Sequence, residues 1–487
     1  MRISSIIPCV RNANGSGHEQ RRQTDGPGKD EVNRMNDFRK TAQEMLEFIR
    51  ISPTCFHAVA NIGRMLEEAG FQQLQEKEEW KLEKGGRYYT ERNDSSVIAF
   101  VIPEKEVGIR GFHMAAAHSD SPCFKIKEKP ELTVEEHYLR LNTEKYGGMI
   151  LSTWLDRPLS VAGRLAVKNG NGIEGRLVNI DRDLCVIPNV AIHMNREMNK
   201  GVEYNPQVDL LPLLADVSFD EYDAHTTYDA QTASENAEEQ PETVEKPTLA
   251  ALAAETAGVD AETILGEDLF LYTRQEGKMI GAKGEFVLSP RLDDLQSAFA
   301  LTKAFTESTP AEYINLCAVF DNEEVGSGTR QGADSTFLED TLQRITEGLQ
   351  EGHSTYLRWV ADSFLISADN AHAVHPNHPE KADPANRPYL NGGIVIKYHG
   401  SQKYTTDGIS AARMKDYCER AKVPYQTYAN RSDIAGGSTL GNISTAHVSV
   451  SSVDIGLPQL AMHSAVETAG MKDTEYAVRA LKEFWGE

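Results

Sequence analysis

Ile314-Asn315-Leu316-Cys317-Ala318-Val319-Phe320, followed without a break by Asp321-Asn322-Glu323-Glu324 and then Val325-Gly326-Ser327-Gly328, decides how this chain is read. The opening run is short, apolar and rich in Val, Phe and Ile, the composition of a β-strand. The polar quartet ends it. Successive side chains of an extended chain face opposite sides, so adjacent glutamates at a strand end can serve two tasks. One can hold a cation while its neighbour handles a proton. Taken alone the pair also has a plainer reading as solvated acids at a loop.

The same grammar recurs along the chain. Strands are expected at 314–320, 363–368, 392–398 and 446–455, and helices at 293–307, 335–350, 408–421 and 472–485. Strands alternating with helices predict a helix-covered, mostly parallel sheet. Ligand sites in such sheets lie beyond the carboxyl ends of the strands. After Gly111–Ala117 come His118-Ser119-Asp120, and after Phe364–Ala368 come Asp369-Asn370-Ala371-His372. His463 follows the apolar Pro458–Met462, and Ser289-Pro290-Arg291-Leu292-Asp293-Asp294 stands at a predicted helix start. Imidazole and carboxylate together suit zinc, cobalt or manganese. Each residue has an ordinary reading by itself. His118 fits a buried, hydrogen-bonded histidine, Asp120 and Asp369 fit turns, Asp293 fits an N-cap and His463 fits a strand cap. Their joint placement at strand ends favours one assembled site. His372, His375 and His378 are not read as a metal cluster, because Pro376 and Pro379 break any helical face.

A chain of 487 residues calls for more than one core. Its 40% hydrophobic and 25% charged content is that of a soluble globular protein. The net charge of −23 argues against nucleic-acid partners. Any preference for acidic substrates must therefore come from a local cation. No apolar run is long enough to span a membrane. The six cysteines are scattered without a C-x-x-C pair, as in a reduced cytoplasmic protein. The first residues make a poor signal peptide. Residues 1–36, with Gly26-Pro27-Gly28, read as a disordered extension or as sequence before a start at Met35. Helices interrupted near Pro53 follow over 37–70. Residues 125–285 alternate in the β manner with many turn signals, and within them the acidic, Ala-rich 229–262 reads as a surface loop with a short helix. The expected organisation is an extension (1–36), the first part of an α/β catalytic domain (37–124), an inserted β-rich domain (125–285), and the second part (286–487).

At this point the chain resembles the aspartyl aminopeptidase family of dinuclear-metal exopeptidases. His118-Ser-Asp120-Ser-Pro, Arg291-Leu-Asp293, Asp321-Asn-Glu323-Glu324-Val-Gly-Ser, Ala371-His-Ala-Val-His-Pro-Asn and Met462-His463-Ser look like its motifs. Ser52-Pro-Thr-Cys-Phe-His-Ala-Val59, Tyr146-Gly-Gly, Asp156-Arg157, Ile187-Pro-Asn-Val-Ala-Ile-His193 and Gly437-Ser-Thr-Leu-Gly441 add to the match, in order, from about residue 37 onward. One departure is Asp294, where the family usually has Asn.

The resemblance implies two divalent ions per subunit, zinc first with cobalt or manganese as alternatives. His118 and Asp369 would hold one, Glu324 and His463 the other, with Asp293 as bridge. Glu323 would be the general base for a metal-bridging hydroxide, and Asp120 would orient His118. His193, from the inserted domain of a neighbouring subunit, would stabilise the tetrahedral intermediate and contact substrate. Lys397 matches a family lysine that pairs with an acidic substrate side chain. Its plainer reading is a surface lysine ending an edge strand. The inserted domain would be a barrel-like oligomerisation module, and the assembly a tetrahedral homododecamer built from dimers and acting on peptides. The activity expected is release of N-terminal Asp or Glu. The alternatives are the same chemistry on neutral N-terminal residues, and a catalytically silent metal-binding scaffold. Asp294 would alter metal preference.

Overall fold

A computed structural model describes residues 29–104, 108–217, 248–437 and 439–487. A nine-stranded mixed sheet forms its centre, in the order Gln72–Gln73, Arg87–Arg92, Ser96–Val101, Ile314–Phe320, Phe112–His118, Phe364–Ala368, Ser451–Gly456, Ile394–Tyr398, Tyr425–Ala429. The strands from Ile314–Phe320 to Ser451–Gly456 in that order all run parallel. Their side chains alternate between two cores. Phe112, Met114 and Ala116 face the helices Phe337–Gly348 and His353–Ala361, with Phe100, Phe320 and Phe337. Ala115, Ala117, Cys317 and Val319 face the other layer, where the helices Lys29–Arg50, Cys55–Glu68, Leu292–Thr306 and Asp473–Trp485 pack. Burial on both faces explains why these strands are continuous apolar runs.

Register then places the polar clusters. Phe320 pairs with His118, and Ser367 pairs with Ala116, so Asp369 comes level with His118. The acids of 321–324, His118 and Asp369 leave the sheet at one edge. The opposite edge is pinned by the last helix. The Trp485 indole N–H donates to the His113 carbonyl at 3.0 Å, and Asn315 Nδ2 donates to the Trp485 carbonyl at 2.7 Å. His113 stacks on Tyr313 and Phe484, and burial pushes its pKa down to about 4.

A six-stranded, fully antiparallel sheet spans Cys123 to Thr273, in the order Gly172–Asn179, Leu159–Asn169, Ile264–Thr273, Cys123–Val134, Tyr138–Tyr146, Leu213–Asp216. Pairing among the described residues does not close it into a barrel. The short helix expected within 229–262 is Leu249–Ala257, capped by the Thr248 side chain and ended by Gly258 in the left-handed region at φ 65. The remainder of that acidic stretch up to residue 247 lies outside the described residues. A third, five-stranded sheet joins Lys278–Ile280, Phe286–Ser289, Glu467–Gly470, Pro458–Leu460 and Ala371–His372. Lys278–Ile280 therefore pairs outside the antiparallel sheet, although it falls in the span expected for the insertion.

The sequence reading needs further adjustment. Helix Lys29–Arg50 begins inside the expected 1–36 extension, and residues 1–28 lie outside the described residues. The strand expected at 446–455 starts only at Ser451. His353–Ala361, Leu440–Ser444 and Tyr425–Ala429 were not anticipated, being short elements whose burial is set by distant neighbours.

Trp485 is fully buried at the pinned edge. Trp485→Ala is expected to cost about 3–5 kcal/mol, as large-to-small core changes do. It should appear as a lower urea midpoint, with Trp485→Phe losing less because the ring is kept. An unchanged midpoint for Trp485→Ala would contradict the pinning role.

Candidate metal centre

Each of two histidines is fixed through one ring nitrogen. His118 Nδ1 lies 3.1 Å from the Asp120 carbonyl oxygen, and His463 Nδ1 lies 2.7 Å from the Gly148 carbonyl oxygen. A carbonyl only accepts, so Nδ1 carries the proton in both rings. Nε2 is left to face carboxylates. His118 Nε2 is 3.6 Å from Asp293 Oδ1. His463 Nε2 is 3.4 Å from both Asp293 Oδ2 and Glu324 Oε1. Histidines that bind metals are anchored in this way, and the anchor fixes tautomer and ring direction.

The carboxylates complete the arrangement. One donor atom each from His118, Asp293, Asp294 and Asp369 lies within 4.8 Å of the others, and the same holds for Asp293, Glu324 and His463 and for His118, Glu323 and Glu324. Asp293 is common to the first two groups. Asp293 Oδ1, Asp294 Oδ1 and Glu324 Oε1 are buried without a hydrogen-bond partner. Buried acceptors of one sign in contact are costly unless a cation faces them. The electrostatics agree. Burial raises the Glu323 carboxyl to about 7 and drives Glu324, Asp294 and Asp369 upward. Burial also works against charging His463, but Asp293 and Glu324 outweigh it and hold the ring up at about 10. Asp293 is held below its usual value because the facing His118 and His463 rings outweigh its burial. The cluster calls for positive charge, and its nitrogen and oxygen donors fit divalent ions.

Local backbone places the glutamates. Asn322 takes the left-handed conformation (φ 64), which Asn tolerates, and turns the chain after Phe320. The main-chain N–H groups of Glu323 and Glu324 then donate to Asp120 Oδ1 and Oδ2, each at 3.1 Å. The Tyr146 hydroxyl also donates to Asp120 Oδ2, at 2.7 Å, and Asn322 Nδ2 donates to that hydroxyl at 2.8 Å. Asp120 therefore touches His118 and also sets the turn that carries both glutamates.

Sequence reasoning missed Glu467. It is buried, its Oε2 accepts from the Asp293 N–H at 3.0 Å, and its Oε1 accepts from the His463 N–H at 2.7 Å. No motif marks it; only the pairing of Glu467–Gly470 with Phe286–Ser289 and Pro458–Leu460 brings it to the centre.

Lys397 is not a surface lysine on an edge strand. Ile394–Tyr398 lies between Tyr425–Ala429 and Ser451–Gly456, and Lys397 is buried with Nζ 3.6 Å from Asp369 Oδ2. It lines a cavity of about 330 Å³ with His118, Glu323, Glu324, Asp369 and His463. His193 does not join this cavity within the chain. It is exposed in the segment after Ile187, which Asp156 anchors by accepting from Asn189 N and Nδ2 at 2.9 and 2.6 Å.

Comparison with known proteins agrees with this geometry. Residues 48–485 match the family model described as aminopeptidase I zinc metalloprotease (M18). A probable M18 family aminopeptidase 2 of Clostridium novyi is 47% identical over 448 residues, covering 92% of this chain and 98% of the relative. Among solved structures, a chain of the Ape4 and Nbr1 complex superposes with TM-score 0.84 at 36% identity, covering 93% of this chain and 86% of the other. The S. cerevesiae mApe1 dodecamer superposes with TM-score 0.75 at 25% identity, covering 92% and 97%. With the family model spanning residues 48–485 and a relative 47% identical over 92% of the chain, the chain belongs to the M18 family of zinc aminopeptidases.

Proposed function

We propose that this aminopeptidase releases N-terminal residues from peptides, Asp and Glu in preference, at a two-ion centre. His118 and Asp369 would hold one ion, Glu324 and His463 the other, with Asp293 shared between them. The observation that carries this reading is the position of Asp293, common to two donor groups that each present a histidine Nε2. Ions bound there supply Lewis acidity toward the scissile carbonyl and acidify the attacking water. Glu323 stands beside Glu324 in the same cavity and is assigned no ligand duty. It takes the proton from the water and returns it to the leaving amine. Asp120 keeps that carboxylate in reach by holding its main-chain N–H.

Lys397 supports the acidic preference. It is a fixed ammonium on the wall of the cavity, in a chain whose net charge of −23 otherwise repels acidic peptides. His193 is assigned to the active site of a neighbouring copy. Val190, Ile192 and Met194 around it are 50%, 47% and 83% exposed, an apolar surface suited to burial against another subunit. The mApe1 dodecamer among the structural relatives supports a homododecamer, and a tetrahedral arrangement built from dimers is part of the same proposal. The presence of Glu323 and every assigned ligand speaks against the scaffold reading.

Glu323→Gln is expected to lower kcat by about 10²–10⁴-fold, with metal content by elemental analysis unchanged. Retained activity would remove Glu323 from proton transfer. Lys397→Ala should cut the ratio of kcat/KM for Asp over Ala N-terminal peptides by about 10–100-fold, the scale of a hydrogen bond to a charged group. An unaltered ratio would leave the neutral-residue alternative in place. Mixed oligomers assembled from Glu323→Gln and His193→Ala chains, each inactive alone, should regain activity where an intact Glu323 meets an intact His193. No recovery in verified mixed assemblies would place His193 outside the neighbour's site.

A further inference from the structure

We propose that Asp294 is a fourth side-chain ligand of the ion held by His118 and Asp369, so that the two halves of the centre differ in affinity and selectivity. This rests on the two-ion reading above and adds a residue which that reading leaves without a task.

The two donor groups are unequal. Around His118 there are three carboxylates, Asp293, Asp294 and Asp369, with one donor atom of each and of the imidazole mutually within 4.8 Å. Around His463, among the described residues, there are only Asp293 and Glu324. Asp294 is 0% exposed. Its Oδ2 accepts the His118 main-chain N–H at 3.3 Å, and its Oδ1 has no hydrogen-bond partner. A purely structural role explains the first oxygen and not the second. An asparagine would accept the same N–H through its single carbonyl oxygen. A buried carboxylate oxygen kept free beside a histidine and two more acids is placed for a cation.

The chemistry sets the consequence. Carboxylates suit hard ions such as manganese, whereas imidazole suits zinc. The His118 half, richer in oxygen, should hold its ion more tightly than the His463 half and discriminate less between zinc and manganese.

The test uses the full-length protein, stripped of metal and titrated with zinc or manganese against a competing chelator. The unmodified chain is expected to bind two ions with two distinct affinities. In Asp294→Asn one affinity should fall at least about tenfold, the scale seen when even outer partners of a metal ligand are lost. The loss should be larger for manganese than for zinc, and the other affinity should stay unchanged. Two ions bound with the original affinities in Asp294→Asn would overturn the role of Asp294 and leave the two-ion reading intact. A single ion in the unmodified chain would overturn that reading itself, and this inference with it. Where Asp294→Asn fails to fold, a crystal structure of the zinc-loaded unmodified chain decides. An Asp294 oxygen about 2.0–2.2 Å from the ion, the usual carboxylate distance, supports the assignment. A water between them overturns it.

Discussion

One carboxylate, Asp120, ties the centre together. It receives two main-chain N–H groups from Glu323 and Glu324, a tyrosine hydroxyl from the inserted sheet, and lies against the His118 ring. Hydrogen bonds to an ionised acceptor are among the stronger ones in proteins, and burial strengthens them. Because these donors come from separate strands and from a second sheet, no short stretch of chain can form the site alone. The parallel register brings Phe320 opposite His118; Asp120 then converts that proximity into fixed directions for two neighbouring glutamates.

The centre is paid for by charge. Glu323, Glu324, Asp293, Asp294 and Asp369 converge in a buried space with two imidazoles and Lys397. Like charges at these separations oppose folding unless protons or cations intervene, and the raised carboxyl pKa values express that opposition. Hydrogen bonds from ordered backbone, such as the pair accepted by Glu467, hold ligand residues in place without adding a side-chain cation. The surrounding scaffold is correspondingly rigid: both sheet faces are packed with aromatic residues, and the edge remote from the site is pinned by Trp485.

Much of this was legible in the chain because each strand of the centre is buried on both faces. Ile314–Phe320 and Phe364–Ala368 are uninterrupted apolar runs, so the polar residues that end them stood out, and the rule for parallel sheets turned those ends into one place. The helices expected at 293–307 and 472–485 are found at Leu292–Thr306 and Asp473–Trp485. What escaped depended on pairing between distant segments. Glu467 has no local signature, since its role arises when a hairpin from 458–470 joins the strand at 286–289. Lys397 could not be told from a surface lysine until the order of the central sheet showed strands on both sides of it. Single-chain geometry likewise leaves His193 outside the cavity.

The antiparallel sheet reaches into the polar cluster. Tyr146, on its Tyr138–Tyr146 strand, donates to Asp120, and Gly148, just beyond that strand, fixes the His463 ring. The loop from Ile187, tied down through Asp156, belongs to the same unit and presents the exposed Val190, Ile192 and Met194. Tyr146 and Gly148 lie in the segment around the antiparallel sheet, so a unit that looks separable by sequence cannot be removed without taking with it the hydrogen bonds to Asp120 and His463.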